Sequence, residues 1–543
     1  MTTNTNTLRC EPMRRCRRSS LIAPVFVCSV LAESRTLPAA DDTNDLVIRF
    51  VVTVDRGQDL GQCFGSMFEA RSSDESIVVG AGFPNAYNTR YRADRHAIQF
   101  FIRPTDGQRE MTTEELPRPT DDLTGAYLFE RDGTIYSTYG GLKTWDRRSG
   151  VWEHFDGAGG TNETMRVGNG MLTFGDSRVT WNDRSILEPP DEGSYQLFFY
   201  ANGHLCFYHV NRREKPYRFY QDDEDGFSRL FACPWTPAEE EEEEVDLSEA
   251  VVLRLPVVGE TTFAWGQLGS QIVTGSNIGG FYVFEDGAWS MILEPKLGVS
   301  YQLYSTLSFH DRLLMGQYPT GRVFEYDGET IRDQEDWPPV LEGVTGSARE
   351  AQTTAIYGGD LMVGVWPWGE VWRYNPDSGE WTFMQRMFTH PSLSDEVTHP
   401  YDLENQGNEP GNLWGQRVTS LVPSGQHLFI STSAKTPFEW DPEPYPFLGP
   451  DKWKSYGNVY RATMTGHLTA ATKWTDGPTT LEFTIRRGEM SIRQDGVLLA
   501  TGSLTGSLAE LTTKAHQFED VNWGSGIYGP SRCDALEGDV DVP

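Results

Sequence analysis

The chain has 543 residues and is rich in turn formers and aromatics, with Gly 54, Pro 31, Trp 16, Tyr 22 and Phe 28. That balance suits many short strands joined by tight turns. Almost no segment carries a sustained helical apolar stripe, so the class expected is all-β. Lys+Arg 46 against Asp+Glu 78 leave a formal net charge of -32, a field that repels phosphate backbones and speaks against nucleic acid as a partner.

The first forty residues read as a targeting segment. Arg14, Arg15, Arg17 and Arg18 form a basic start, and an apolar stretch runs from Leu21 to Ala32. It is short for a membrane span and fits a secretory signal cleaved after Ala32 or Ala40, with Met13 as an alternative start. The mature chain is therefore expected to be exported: periplasmic, on the cell surface or secreted. No membrane span is expected further along. Cleavage would leave Cys63, Cys206, Cys233 and Cys533 of the seven cysteines. Two readings of Cys206 and Cys233 stand side by side, a disulfide within one repeat unit or buried strand residues. No C-x-x-C spacing exists for a thiolate zinc site.

Between residues 41 and 465 one pattern recurs: a short apolar strand, a glycine turn, an alternating aromatic strand, then Asp-Gly or Ser-Gly before a Trp. Units run over Ile77–Ile102, Gly133–Trp152, Met171–Asn182, His204–Tyr220, Gln271–Trp289, Asp311–Gly328, Asp360–Trp381 and His427–Tyr460. In the clearest of them Val323, Glu325 and Asp327 alternate with Phe324 and Tyr326, which puts successive side chains on opposite faces of a sheet. A spacing of roughly fifty residues is that of a four-stranded propeller blade. One blade cannot bury both faces alone, but a ring of blades can. The fold expected is a seven- or eight-bladed β-propeller, seven if the first and last units share a blade. Within it, residues 237–249 hold the run Glu239–Glu244, read as a solvated loop.

The outer strands, aromatic-x-aromatic-Asp/Asn and then Gly-x-Trp, resemble those of kelch-type and related bacterial propellers, many of which bind or act on glycans outside the cell. The resemblance implies a ring and a carbohydrate ligand. Its motifs are architectural and transfer no catalytic residue, and regular copies of the sialidase box Ser-x-Asp-x-Gly-x-x-Trp are missing. After residue 465 the pattern changes. Leu481–Ile485, Glu489–Arg493 and Val497–Ala500, joined at Gly488 and Asp495-Gly496, read as a β-meander, a small C-terminal appendage over 466–543.

In a blade the link between second and third strands opens on the same rim as the links between blades, and that rim surrounds the central channel. Here it runs from Phe83–Tyr87 and Gly175–Arg178 to Gln317–Thr320 and Ser433–Thr436. On it, Tyr139, Tyr318, Trp366 and Trp368 would offer flat faces on which a sugar stacks, with packing between blades as the competing reading. The link that follows His204, Tyr208 and His209 gathers cations instead. There Arg212 and Arg213 could hold the carboxylate of an acidic polysaccharide while His209 or Tyr208 moves the proton, the parts of a uronate lyase. A surface loop paired with Asp222–Asp225 is the structural alternative. His390, Asp395 and His399, near Glu396 and Asp402, could ligate a divalent cation, although their spacing matches no fixed motif. No organic cofactor is expected, since neither a nucleophile elbow nor a phosphate loop occurs. The function classes left are an exported propeller that binds or processes a carbohydrate-like ligand on its rim, with lyase ahead of hydrolase chemistry if it is an enzyme, and a non-catalytic protein-interaction scaffold.

Overall fold

Strands that are apolar on both faces need cover on both sides, and most of this chain finds it in a ring. The computed structural model describes residues 47–541 apart from 107–108, 122–124, 139–140, 158–161, 213–218, 222–225, 238–243, 300, 343, 345–348, 393–412, 436–438, 444, 513–517 and 524–534. Nearly all its regular structure is strand.

Antiparallel sheets of the blade type follow one another along the chain, each in the strand order of its sequence. Blade 1 spans Leu128–Arg131 to Val151–His154, blade 2 Thr164–Val167 to Arg184–Leu187, and blade 3 Ser194–Ala201 to Val251–Arg254. Blade 4 spans Trp265–Leu268 to Ala288–Leu293, blade 5 Gln302–Phe309 to Ile331–Asp333, and blade 6 Glu350–Tyr357 to Glu380–Arg386. Blade 7 uses Gln416–Ser424, His427–Ala434 and Val459–Thr463, then takes its outermost strand, Thr112–Leu116, from ahead of blade 1. Leu116 lies opposite Val459 and Thr112 opposite Thr463, so the two ends of the circuit share one sheet. That sharing makes the ring a closed one.

Hydroxyls on the innermost strands must find acceptors once buried, and they find them on the next blade. Thr306 donates to the Trp265 carbonyl at 2.6 Å, Thr353 to Val418 at 3.1 Å, and Thr419 to Ala126 at 2.6 Å. These bonds tie blades 4 to 5, 6 to 7, and 7 to 1.

One expected unit is not a blade. Ile77–Gly82 and Ala97–Pro104 lie in a five-stranded sheet ordered His467–Ala471, Ala97–Pro104, Ile77–Gly82, Ser66–Ser72 and Phe518–Trp523. A second five-stranded sheet runs Val497–Ser503, Glu489–Gln494, Thr479–Arg486, Val47–Asp55 and Ala535–Asp541. Alternate residues Ile48, Phe50, Val52 and Val54 and their partners Leu481, Phe483 and Ile485 share one core with Phe68 and Phe100 of the facing sheet. Phe50 stacks on Phe68 at 4.5 Å and Phe100 meets Phe483 at 5.1 Å. The residues after 465 are thus not an appendage. They complete a sandwich begun before residue 105, and the ring is inserted between its halves. Blade strands and sandwich strands share the period of two, so the period could not assign Ile77–Ile102 to either.

Between two strands of the sandwich, residues 83–96 leave as a hairpin that fills the ring's channel. Ala86–Asn88 adds as a fifth strand to the inner edge of blade 5, with Thr306 opposite Tyr87. Tyr91 donates to the Leu421 carbonyl of blade 7 at 2.7 Å, and Asn88 meets the Thr354 backbone of blade 6 on both its amide atoms. At the hairpin base Asp59 pairs with Arg95 at 2.9 Å and with His96 at 3.1 Å, and accepts from the Gly168 amide of blade 2. Burial works against the Asp59 anion, but Arg95 and His96 hold its carboxyl far below the usual range. Arg103 with Asp377 at 2.9 Å and Arg109 with Asp360 at 3.0 Å fasten the sandwich to blade 6.

Among the described residues two cysteines, Cys206 and Cys233, are buried, and both are free thiols. Cys206 pairs with Ala232 and Leu205 with Cys233, so the register is offset by one residue. Cys206 therefore faces blade 4 while Cys233 faces blade 2, and no disulfide joins them.

Residues 466–543 made alone should fail to fold, because their sheet partners lie in residues 47–104. Far-UV circular dichroism checks this. A cooperative thermal transition for the isolated segment would show that it is a domain of its own.

Candidate functional site

At the rim away from the sandwich the channel opens into a cavity of about 590 Å³. Its floor is the hairpin tip, with Tyr87, Thr89 and Arg90 lining it. Its wall is made where inner strands begin and where links cross the rim: Phe174 from blade 2, Phe198 from blade 3, Phe263 ahead of blade 4, Tyr304 from blade 5, Gln352 from blade 6 and Arg417 from blade 7.

Two aromatic pairs stand in that wall. Phe263, 40 % exposed, stacks on Tyr304 at 5.1 Å, and Phe174 stacks on Phe198 at 5.7 Å. Polar side chains line the same cavity. Gln352 is only 2 % exposed and its Oε1 has no hydrogen-bond partner, as is true of Asn162 Oδ1 and Thr89 Oγ1. Asn162 is held in place because its Nδ2 donates to the Asn88 carbonyl at 2.9 Å. Unsatisfied acceptors in a lined cavity are positions where a ligand or water donates.

The charge is mixed. Arg417 donates to both carboxylate oxygens of buried Glu350, at 2.9 and 3.1 Å, so its charge is neutralised within the wall. Arg90 is exposed, its guanidinium 5.1 Å from the Tyr127 ring centre. Glu163 and Asp176 line the same cavity and are also exposed. The site offers apolar faces and acceptors without a strong net charge.

The lyase set does not converge on this cavity. Tyr208 is fully buried, bonds Thr274 Oγ1 at 2.9 Å and packs on Trp265, and burial raises its phenol far above the ordinary value. His209, the next residue on the strand, points to the opposite face of blade 3. There its Nε2 lies 2.7 Å from the Glu192 carbonyl, Tyr195 and Phe227 enclose the ring, and burial lowers its pKa. Arg212 donates to the Gly259 carbonyl at 2.9 Å. His204 sits at the far end of the same strand, on the Asn202 carbonyl and the Phe284 ring. Arg213 and Tyr139 lie outside the described residues.

The remaining rim aromatics are packed rather than open. Trp366 is fully buried and Trp368 nearly so. Lys435 caps the Trp366 ring at 4.7 Å and reaches Tyr318 at 5.7 Å, while Arg386 covers Trp368 at 4.2 Å. Burial and the nearby Glu350 push the Tyr318 phenol up to about 12. Of the metal set, His390 is exposed beside Thr389, and His399 and Asp395 lie outside the described residues. Among the described residues no three His, Cys, Asp or Glu side chains group as metal ligands.

Of the links expected on the rim, Tyr87 and Gly175–Ser177 line the mouth, whereas Phe83 packs in the sandwich core at the hairpin base; Arg90, Asn162, Phe263, Tyr304 and Gln352 were not singled out by the sequence. Phe263 and Asn162 stand in links with no repeat motif, and the others look like ordinary strand or turn residues.

No family model matches the chain, and no curated protein does. Among solved structures it is similar to the computationally designed Ika8 protein, at 13% identity and TM-score 0.30, covering 70% of this chain and 98% of that one. BamB from Moraxella catarrhalis gives 11% identity and TM-score 0.28 over 76% and 98%. The extracellular domain of a putative one component system from B. thetaiotaomicron gives 12% and 0.33, over 59% of this chain and 39% of that one. The chain thus spans well under half of that last structure. Likeness at this level adds nothing to what the ring's own hydrogen bonds show. No helix among the described residues is long and apolar enough to cross a membrane.

One buried acid on the same rim gives a pH test. Glu260, in the link between blades 3 and 4, accepts from the Tyr282 hydroxyl at 2.7 Å, and its Oε2 has no partner. Burial pushes this carboxyl up to about 7, against bonds from Tyr282 and Ser276. The folded chain therefore holds the proton more tightly than the unfolded one. The stabilisation is fully present below about pH 4.5 and is lost as pH rises to about 7. Thermal melts should show wild type losing up to about 3 kcal/mol across that window relative to Glu260→Gln. Parallel pH profiles would show that Glu260 titrates normally.

Proposed function

We propose that this chain is an exported propeller that binds an uncharged, carbohydrate-like ligand at the channel mouth. The observation that carries the reading is one cavity combining the stacked pairs Phe263/Tyr304 and Phe174/Phe198 with the unpartnered acceptors of Gln352 and Asn162. A sugar ring has an apolar face for the first and hydroxyl donors for the second. Glu163 and Asp176 beside Arg90 favour a neutral sugar over a uronate. No proton-transfer step is assigned, because Tyr208 and His209 stand on opposite faces of their blade.

A protein partner is the second reading. The large apolar residues Phe263, Leu297, Val299 and Val340 are all exposed in between-blade links, which open on this same rim.

On the carbohydrate reading Phe263→Ala removes an exposed stacking face and should weaken binding of a neutral oligosaccharide about tenfold, with thermal stability nearly unchanged. Isothermal titration with a panel of neutral and acidic glycans measures it. Unchanged affinity in the variant would move the ligand elsewhere.

Export rests on the basic and then apolar start of the chain. N-terminal sequencing of the mature protein should find a start just after Ala32 or Ala40. An intact Met1 or Met13 on soluble cytoplasmic protein would overturn it.

A further inference from the structure

We infer that the mouth takes the end of a glycan chain rather than a stretch of its middle. The inference deepens the carbohydrate reading of the same cavity and rests on it.

An internal stretch of polymer needs two exits, either through the channel or across an open groove. The channel offers none, because the hairpin tip stops it. Asn88 is bonded into blade 6, Tyr91 into blade 7, and Arg92 donates to the Asn162 carbonyl at 2.7 Å. Among the described residues the mouth is also enclosed on most sides. The cavity is walled by residues from blades 2, 3, 5, 6 and 7 and from the link ahead of blade 4, so walls stand around most of the ring. Among the described residues this leaves a pit closed at its base by the hairpin tip. Its volume of about 590 Å³ lies within the range of small-ligand sites.

The lining chemistry points the same way. Thr89, Asn162 and Gln352 line the cavity, and each has a buried side-chain oxygen with no hydrogen-bond partner that a ligand hydroxyl could satisfy. An internal sugar unit has spent a hydroxyl on each glycosidic bond, and a bridging oxygen cannot donate. A terminal unit keeps one hydroxyl more, and burying it against an acceptor satisfies both groups. Arg90, exposed at the hairpin tip, adds donors for ring and bridge oxygens.

The test uses the full mature protein with neutral malto-, cello- and manno-oligosaccharides from dimer to octamer and the parent polymers, followed by titration calorimetry. End recognition predicts one protein bound per chain at every length, with affinity levelling after the first few units. Gln352→Met, which keeps the shape but loses the amide, should weaken the oligomers about tenfold while leaving the melting temperature in place. Several proteins bound along each long chain, with dimers failing to bind, would overturn end recognition and leave the carbohydrate reading standing. If no saccharide of any length or charge binds, the carbohydrate reading itself fails and takes this inference with it.

Discussion

A ring of blades leaves a channel lined by the edges of its innermost strands, and those edges carry backbone groups that must be satisfied. In this protein the hairpin of residues 83–96 does so. It adds a strand to blade 5, reaches blades 6 and 7 through Asn88 and Tyr91, and supplies the floor of the mouth. Because the hairpin departs from the sandwich, the ring cannot be filled without the sandwich in place. Because the sandwich needs strands from beyond residue 465, it cannot be completed until the whole ring has been made. Ring, sandwich and mouth are therefore one cooperative problem.

Charge follows the same geometry. A chain of net charge -32 still buries several of its arginines, each paired with a carboxylate. Arg95 on Asp59, Arg103 on Asp377, Arg109 on Asp360 and Arg417 on Glu350 all sit at joints between elements. Each pair pays for desolvation with short, directed bonds, and losing one partner would strand a buried charge. The joints thus fix orientation as well as adding to stability.

The predicted site residues show how a rim position can mislead. Tyr208 and His209 are neighbours in sequence and lie on opposite faces of one strand, so adjacency guaranteed that they could not converge. Trp366 ends a strand of blade 6 and Trp368 sits in the turn after it, and Lys435 and Arg386 come from elsewhere in the ring to cover them. The mouth, by contrast, is built from residues that are individually unremarkable in sequence, such as Gln352 and Asn162, and only the ring brings them together.

The all-β class, the blade-like unit and most of the units were written in the sequence itself, because period-two alternation and Asp-Gly turns act over a few residues and need no distant partner. The burial of Cys206 was an open alternative for the same local reason. Which strand pairs with which was decided only by the tertiary structure. Thr112–Leu116 closing blade 7, Val47–Asp55 lying beside Thr479–Arg486, and residues 83–96 entering the channel are all contacts between distant segments. A strand's own pattern states that it has two faces to bury, and leaves to the rest of the chain what will cover them.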